Sequence, residues 1–167
     1  MRYNCSIARA LGYVALLSMG ATSNAAGASF SGTWVLDLAR SDFPPGFDEP
    51  KSLTWKIEQT GDDIKWHYDL TKKDGSSTSE DFDNNGDTRL HPVRGKYPNA
   101  VGWTRVQGDT LLFNYSNPDI YSLSFVSKCT LSGDGKTLGC MGQRTSPDAD
   151  SGGFHVKTEK LVYGLSP

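Results

Sequence analysis

"LTWKIEQTGDDIKWHYDL", residues 53–70, alternates apolar and polar side chains on both sides of a Gly-Asp pair. Leu53, Trp55 and Ile57 point one way, and Thr54, Lys56 and Glu58 the other. Beyond Gly61-Asp62, Ile64, Trp66, Tyr68 and Leu70 share a face opposite Lys65, His67 and Asp69. A period of two puts one face of an extended strand on a core and the other in water. So short a link, led by glycine, turns the two runs into a hairpin.

Working outward, turn signals recur at Asp74-Gly75, Asn85-Gly86, Gly108-Asp109, Asn117-Pro118-Asp119, Asp134-Gly135 and through 146–153. Between them lie short runs rich in β-branched and aromatic residues, with no helical period. Further strands are expected near 33–38, 77–83, 87–93, 100–106, 109–116, 120–131, 137–145 and 154–163. Pro92 marks 87–93 as an edge, a bulge or partly loop. Pro44, Pro45 and Pro50 make 41–51 a rigid connector. The sum is an all-β chain, a single antiparallel up-and-down barrel of about eight to ten strands, because a twisted sheet of that size tends to close on itself.

One hairpin fixes its own register. In "CTLSGDGKTLGC", residues 129–140, a two-residue Asp134-Gly135 turn or a four-residue loop pairs Leu131 with Leu138 and Cys129 with Cys140. A three-residue turn would set Leu131 against Thr137 and part the cysteines. The apolar pattern favours the first pairing, since register follows the buried face. A Cys129–Cys140 disulfide is expected; against it stands the two-residue count, which puts 129 and 140 at a hydrogen-bonded position where Cα atoms are farther apart.

The first 28 residues read as an export leader. Arg2 and Arg9 precede the apolar run Leu11–Met19, which is too short to span a bilayer, and small residues follow, with cleavage after Ala25 or Ala28. The remaining 29–167 form one domain, large enough to fold around its own core. The chain carries 17 Lys and Arg against 19 Asp and Glu, net −2; losing Arg2 and Arg9 deepens this to −4. A mildly acidic chain without a basic block is a poor partner for nucleic acid or anionic lipid. Cys5 leaves with the leader, so Cys129 and Cys140 remain as an even pair in an oxidising compartment, periplasmic or extracellular. No segment of the mature chain is apolar enough to span a membrane, and a monomer or weak dimer is expected.

Gly32-Thr33-Trp34 resembles the Gly-x-Trp signature that opens the first strand of lipocalins. The order "GTWVLDLARSDF", "PKSLTWKIEQTGDDIKW", "NNGDTRLHPVRG", "RVQGDTL" and "LSGDGKTL" is similar to small exported bacterial proteins described as lipocalin-like, mostly without assigned activity. The resemblance implies a calycin-type barrel closed at one end by Trp34, often beneath an arginine from a late strand; Arg144 is the nearest match, ahead of Lys157 and Lys160. A second lipocalin signature, Thr-Asp-Tyr near a turn, is echoed by Asp119 and Tyr121.

The large aromatics Trp55, Trp66, Tyr68, Phe82, Trp103, Phe113, Tyr115, Tyr121 and Phe125 mostly fall at positions read as inward. They would either fill a barrel or line a site for a small hydrophobic or aromatic molecule. An enzyme on the same barrel, of lyase, isomerase or cyclase type, is the alternative; its candidates are the His67-x-Asp69 pair and His91 with Arg94 in "RLHPVRG", with a buried tyrosine as partner. A third reading is a periplasmic interaction or stress protein. His155 stands alone. The histidines show no metal-ligand spacing, "DFDNNGD" lacks the ordered ligands of a calcium loop, and no nucleotide or cofactor motif is present, so neither metal nor cofactor is expected.

Overall fold

Eleven antiparallel strands follow one another around a nearly closed barrel in the computed structural model, which describes residues 28–45, 49–119, 123–147 and 153–167. They are β1 Gly32–Leu36, β2 Pro50–Thr60, β3 Asp63–Lys72, β4 Ser77–Asp83, β5 His91–Pro92, β6 Arg94–Gly95, β7 Val101–Gln107, β8 Thr110–Asn117, β9 Leu123–Leu131, β10 Thr137–Pro147 and β11 Phe154–Leu165. Neighbours in sequence pair along most of the sheet, and β11 returns to pair with β1.

The β2–β3 hairpin has the expected register. Trp55 faces Tyr68, Ile57 faces Trp66, and Thr60 faces Asp63 across a two-residue link. Gly61 sits at φ 61°, the positive value that the first position of such a turn requires. β2 starts earlier than the connector reading allowed. Pro50 is its first residue, with an irregularity between Pro50 and Ser52, a position proline tolerates because it need not donate.

The barrel is joined by one pentapeptide. His91-Pro92 pairs with β7, while Arg94-Gly95 pairs with β4. Val93 between them is buried, and its N–H donates to Ala100 O at 2.8 Å. The strand expected at 87–93 thus becomes two short pieces hinged at Val93, which accounts for eleven strands where eight to ten were expected. Pro92 forbids a continuous ladder there.

One end of the barrel is sealed by an apolar layer of Phe30, Trp34, Ile57, Ile64, Leu111 and Leu138, none more than 1% exposed. Trp34 Nε1 donates to Phe30 O at 2.9 Å, so the indole is buried with its polar atom satisfied. Gly32 sits at φ 150°, a backbone conformation that L side chains rarely adopt, which explains a glycine two residues before the plug. Arg144 is not above Trp34. Trp34 lies level with Leu165 and hence with the first residues of β10, whereas Arg144 pairs with Lys157 seven residues farther along that strand. The leader expected at 1–28 lies outside the described residues, apart from Ala28, as does Tyr121.

The disulfide forms. Cys129 and Cys140 are paired across β9 and β10, as are Leu131 and Leu138. Four residues, 133–136, make the loop, and Ser132 N–H donates to Thr137 O at 2.8 Å. That loop moves the hydrogen-bonding phase by one residue relative to a two-residue turn. It leaves the cysteines at a close position, with Cα atoms 3.9 Å apart, and removes the objection to the bond.

Candidate functional site

Above the sealed end the interior is not filled. A cavity of about 300 Å³ extends toward the opposite end of the barrel, marked by Phe43, Leu70, Lys72 and Thr78. Strand parity builds its wall. Trp55 on β2, Trp66 and Tyr68 on β3, Phe113 and Tyr115 on β8 and Phe125 on β9 all line it. The rings brace one another: Trp66 meets Phe113 edge-on at 5.4 Å, Trp55 meets Phe113 at 5.8 Å, and Phe113 meets Phe125 at 5.9 Å. Such edge-to-face contacts fix ring orientation as well as burying area. Cys129 and Cys140 contribute to the same wall.

Six of the nine aromatics expected to meet a ligand therefore line the cavity. Phe82 is inward but sealed, stacked behind Trp66 at 5.2 Å. Trp103 faces the other way. β7 turns Gly102 and Thr104 inward: both are buried, and Thr104 Oγ1 accepts from Trp66 Nε1 at 3.4 Å. Alternation then sends Trp103 to the outer face.

The cavity also holds polar groups that sequence reasoning missed. Tyr115 Oη donates to Glu80 Oε1 at 3.1 Å, and Asn117 Nδ2 donates to Tyr115 Oη at 3.5 Å. On the far wall Arg144 Nε lies 3.8 Å from Glu159 Oε2, with the guanidinium over the Phe125 ring at 5.3 Å. Glu159 is only 2% exposed. Burial raises the carboxyls of both Glu80 and Glu159 above the ordinary range; Tyr115 and Arg144, respectively, oppose the shift. Burial also raises the phenols of Tyr68, Tyr115 and Tyr163, so all three stay protonated donors at neutral pH. The signal was available in parity: Glu80 shares its face with Phe82, and Glu159 with Leu161 and Tyr163.

The histidine candidates lie elsewhere. His67 is on the outer face of β3, its Nδ1 2.8 Å from Asp81 Oδ1 and its Nε2 3.0 Å from Asp69 Oδ2; Ser79 Oγ donates to Asp69 Oδ1. His91 packs its ring edge against Phe82 and pairs through Nε2 with Asp87 Oδ1 at 2.6 Å. Arg94 is exposed on β6. None of His67, Asp69, His91 or Arg94 lines the cavity. Among the described residues no group of three His, Cys, Asp or Glu is placed to hold a metal ion, and no helix is long and apolar enough to cross a membrane.

No family model, curated protein or solved structure matches the chain.

Proposed function

We propose that this protein is an exported carrier or sensor that binds one small hydrophobic, flat molecule inside the barrel, in the manner of lipocalin-like proteins. The observation that carries the reading is the cavity of about 300 Å³ walled by Trp55, Trp66, Tyr68, Phe113, Tyr115 and Phe125. That volume is at the small end of ligand pockets, and such pockets combine apolar walls with a few placed polar groups. A disulfide joining two wall strands is consistent with an oxidising compartment. Catalysis through His67, His91 or Arg94 has no support, since these side chains are off the cavity; binding is the better reading of the same barrel.

The test is a titration with N-phenyl-1-naphthylamine, which is uncharged at neutral pH and fluoresces when moved into apolar surroundings. Saturable one-to-one binding is expected, with quenching of Trp55 and Trp66. A linear, non-saturating response would overturn the reading.

A further inference from the structure

The cavity contains more buried carboxylate than its apolar walls explain. Glu159 is 98% withdrawn from solvent, lines the cavity, and its Oε2 receives no hydrogen bond. Arg144 Nε, at 3.8 Å, is close enough to compensate charge but too far to donate. A buried acceptor left in that state is costly, and its presence at a cavity wall marks where a donor is wanted. A second carboxyl, Glu80, enters from β4 with Tyr115 on Oε1. Arg144, Glu80 and Glu159 line the same cavity, from β10, β4 and β11 respectively. The other cation of the lining, Lys72, is the last residue of β3, at the end of the barrel opposite Trp34.

Resting on the binding reading above, we propose that the ligand is an organic cation: a small aromatic or alicyclic molecule with one protonated amino group, held by Glu159 with Glu80 as second acceptor. An ammonium supplies what the site lacks. It donates to Glu159 Oε2 and sets a positive charge against that buried carboxyl. The rings of Trp55, Trp66 and Tyr68 add attraction for a cation through their faces, as Phe125 already does for Arg144. A carboxylate ligand would instead have to compete with Glu159 for Arg144 and bring a third acid among two.

The experiment is calorimetric titration of the mature protein with three ligands of one shape: tryptamine, 3-methylindole and indole-3-acetate. Tryptamine is expected to bind about tenfold or more tighter than either of the others, a difference of roughly 1.4 kcal/mol. Glu159→Gln should remove about tenfold of the tryptamine affinity while leaving 3-methylindole within about threefold, since the amide retains the shape and loses the charge. Glu80→Gln should act the same way and carries the test if Glu159→Gln does not fold. Equal affinities for the three, tightest binding of indole-3-acetate, or tryptamine binding unaffected by either substitution overturns the proposal. If these results accompany saturable N-phenyl-1-naphthylamine binding, the amine preference alone falls. If no ligand and no probe binds, the binding reading falls with it.

Discussion

Tyr115 on β8 donates its hydroxyl to Glu80 on β4 across the barrel interior, at 3.1 Å. The two strands are not neighbours in the sheet; β6, β5 and β7 lie between them in the barrel wall. The bond is therefore a tie through the cavity rather than along a ladder. Tyr115→Phe keeps the ring and deletes the donor, leaving Glu80 Oε1 partly buried without it. A loss of about 1–3 kcal/mol in urea unfolding is expected, with Glu80→Gln costing less because the amide still accepts. No loss for Tyr115→Phe would show that the bond adds no net stability.

Gly142 tests whether the cavity is shaped by what is absent. It faces inward between Ser127 and Glu159, and a Cβ there would stand 2.5 Å from Phe125 Cε2 and 3.2 Å from Glu159 Cγ. Gly142→Val must push the Phe125 ring into the cavity or part the strands. Overpacking of this kind costs about 1–3 kcal/mol. N-phenyl-1-naphthylamine should bind the variant much more weakly than it binds wild type. Unchanged affinity in a folded variant would mean that Phe125 does not bound the ligand site.

The contrast between Trp66 and Trp103 shows what a single sequence reveals. In "IKWHYDL" every second residue is apolar, so parity alone places Trp66 and Tyr68 on the cavity wall. In "VGWTRVQ" the bulky residues Val101 and Trp103 look inward by size, yet the interior at that height is occupied by Trp66 and takes Gly102 and Thr104 instead. That choice depends on a partner 38 residues away, which no local pattern encodes. Glu80 and Glu159 were hidden for a related reason. Each lies among other charged residues, so a local reading assigns the run to solvent, although the parity of Phe82 and Tyr163 puts each carboxyl inside. The cysteine register was legible because the apolar pairing of Leu131 with Leu138 decides among the possible turn lengths. Closure through Val93 was not, because it rests on two two-residue pairings, His91-Pro92 with β7 and Arg94-Gly95 with β4, too short to leave an alternating pattern.

His67 offers a pH test on the outer face. Its side chain bonds Asp81 from β4 and Asp69 from its own strand. Lys56 from β2 faces it in register, Lys65 shares its face, and Arg94 on β6 stands opposite Asp81 in the strand register. The hydrogen bond to Asp81, more than any other contact, raises the imidazole above its ordinary value of 6.5. A raised pKa in the folded state means that this stabilisation is complete below the ordinary value and fades as pH rises through the raised one. Wild type should therefore lose melting temperature faster than His67→Gln between about pH 6 and pH 8. The difference should be small, as befits a half-exposed pair. Parallel curves for the two proteins would show that the carboxylates give His67 no net stabilisation.

Cys129 and Cys140 should hold the cavity wall as well as the fold. The bond spans 11 positions of sequence, and both cysteines are at most 3% exposed. Chain-entropy arguments for a loop of this length give about 3 kcal/mol of stabilisation through the unfolded state. Protein reduced in denaturant and refolded with its thiols kept reduced should lose about 2–3 kcal/mol relative to the oxidised form. The double variant Cys129→Ala and Cys140→Ala should lose more, because it also removes two buried sulfurs from the wall and leaves space behind them. The gap between the two losses measures packing apart from cross-linking. Reduced protein as stable as oxidised protein would mean that the hairpin register, set by Leu131 against Leu138 and by the 133–136 loop, is held without the bond.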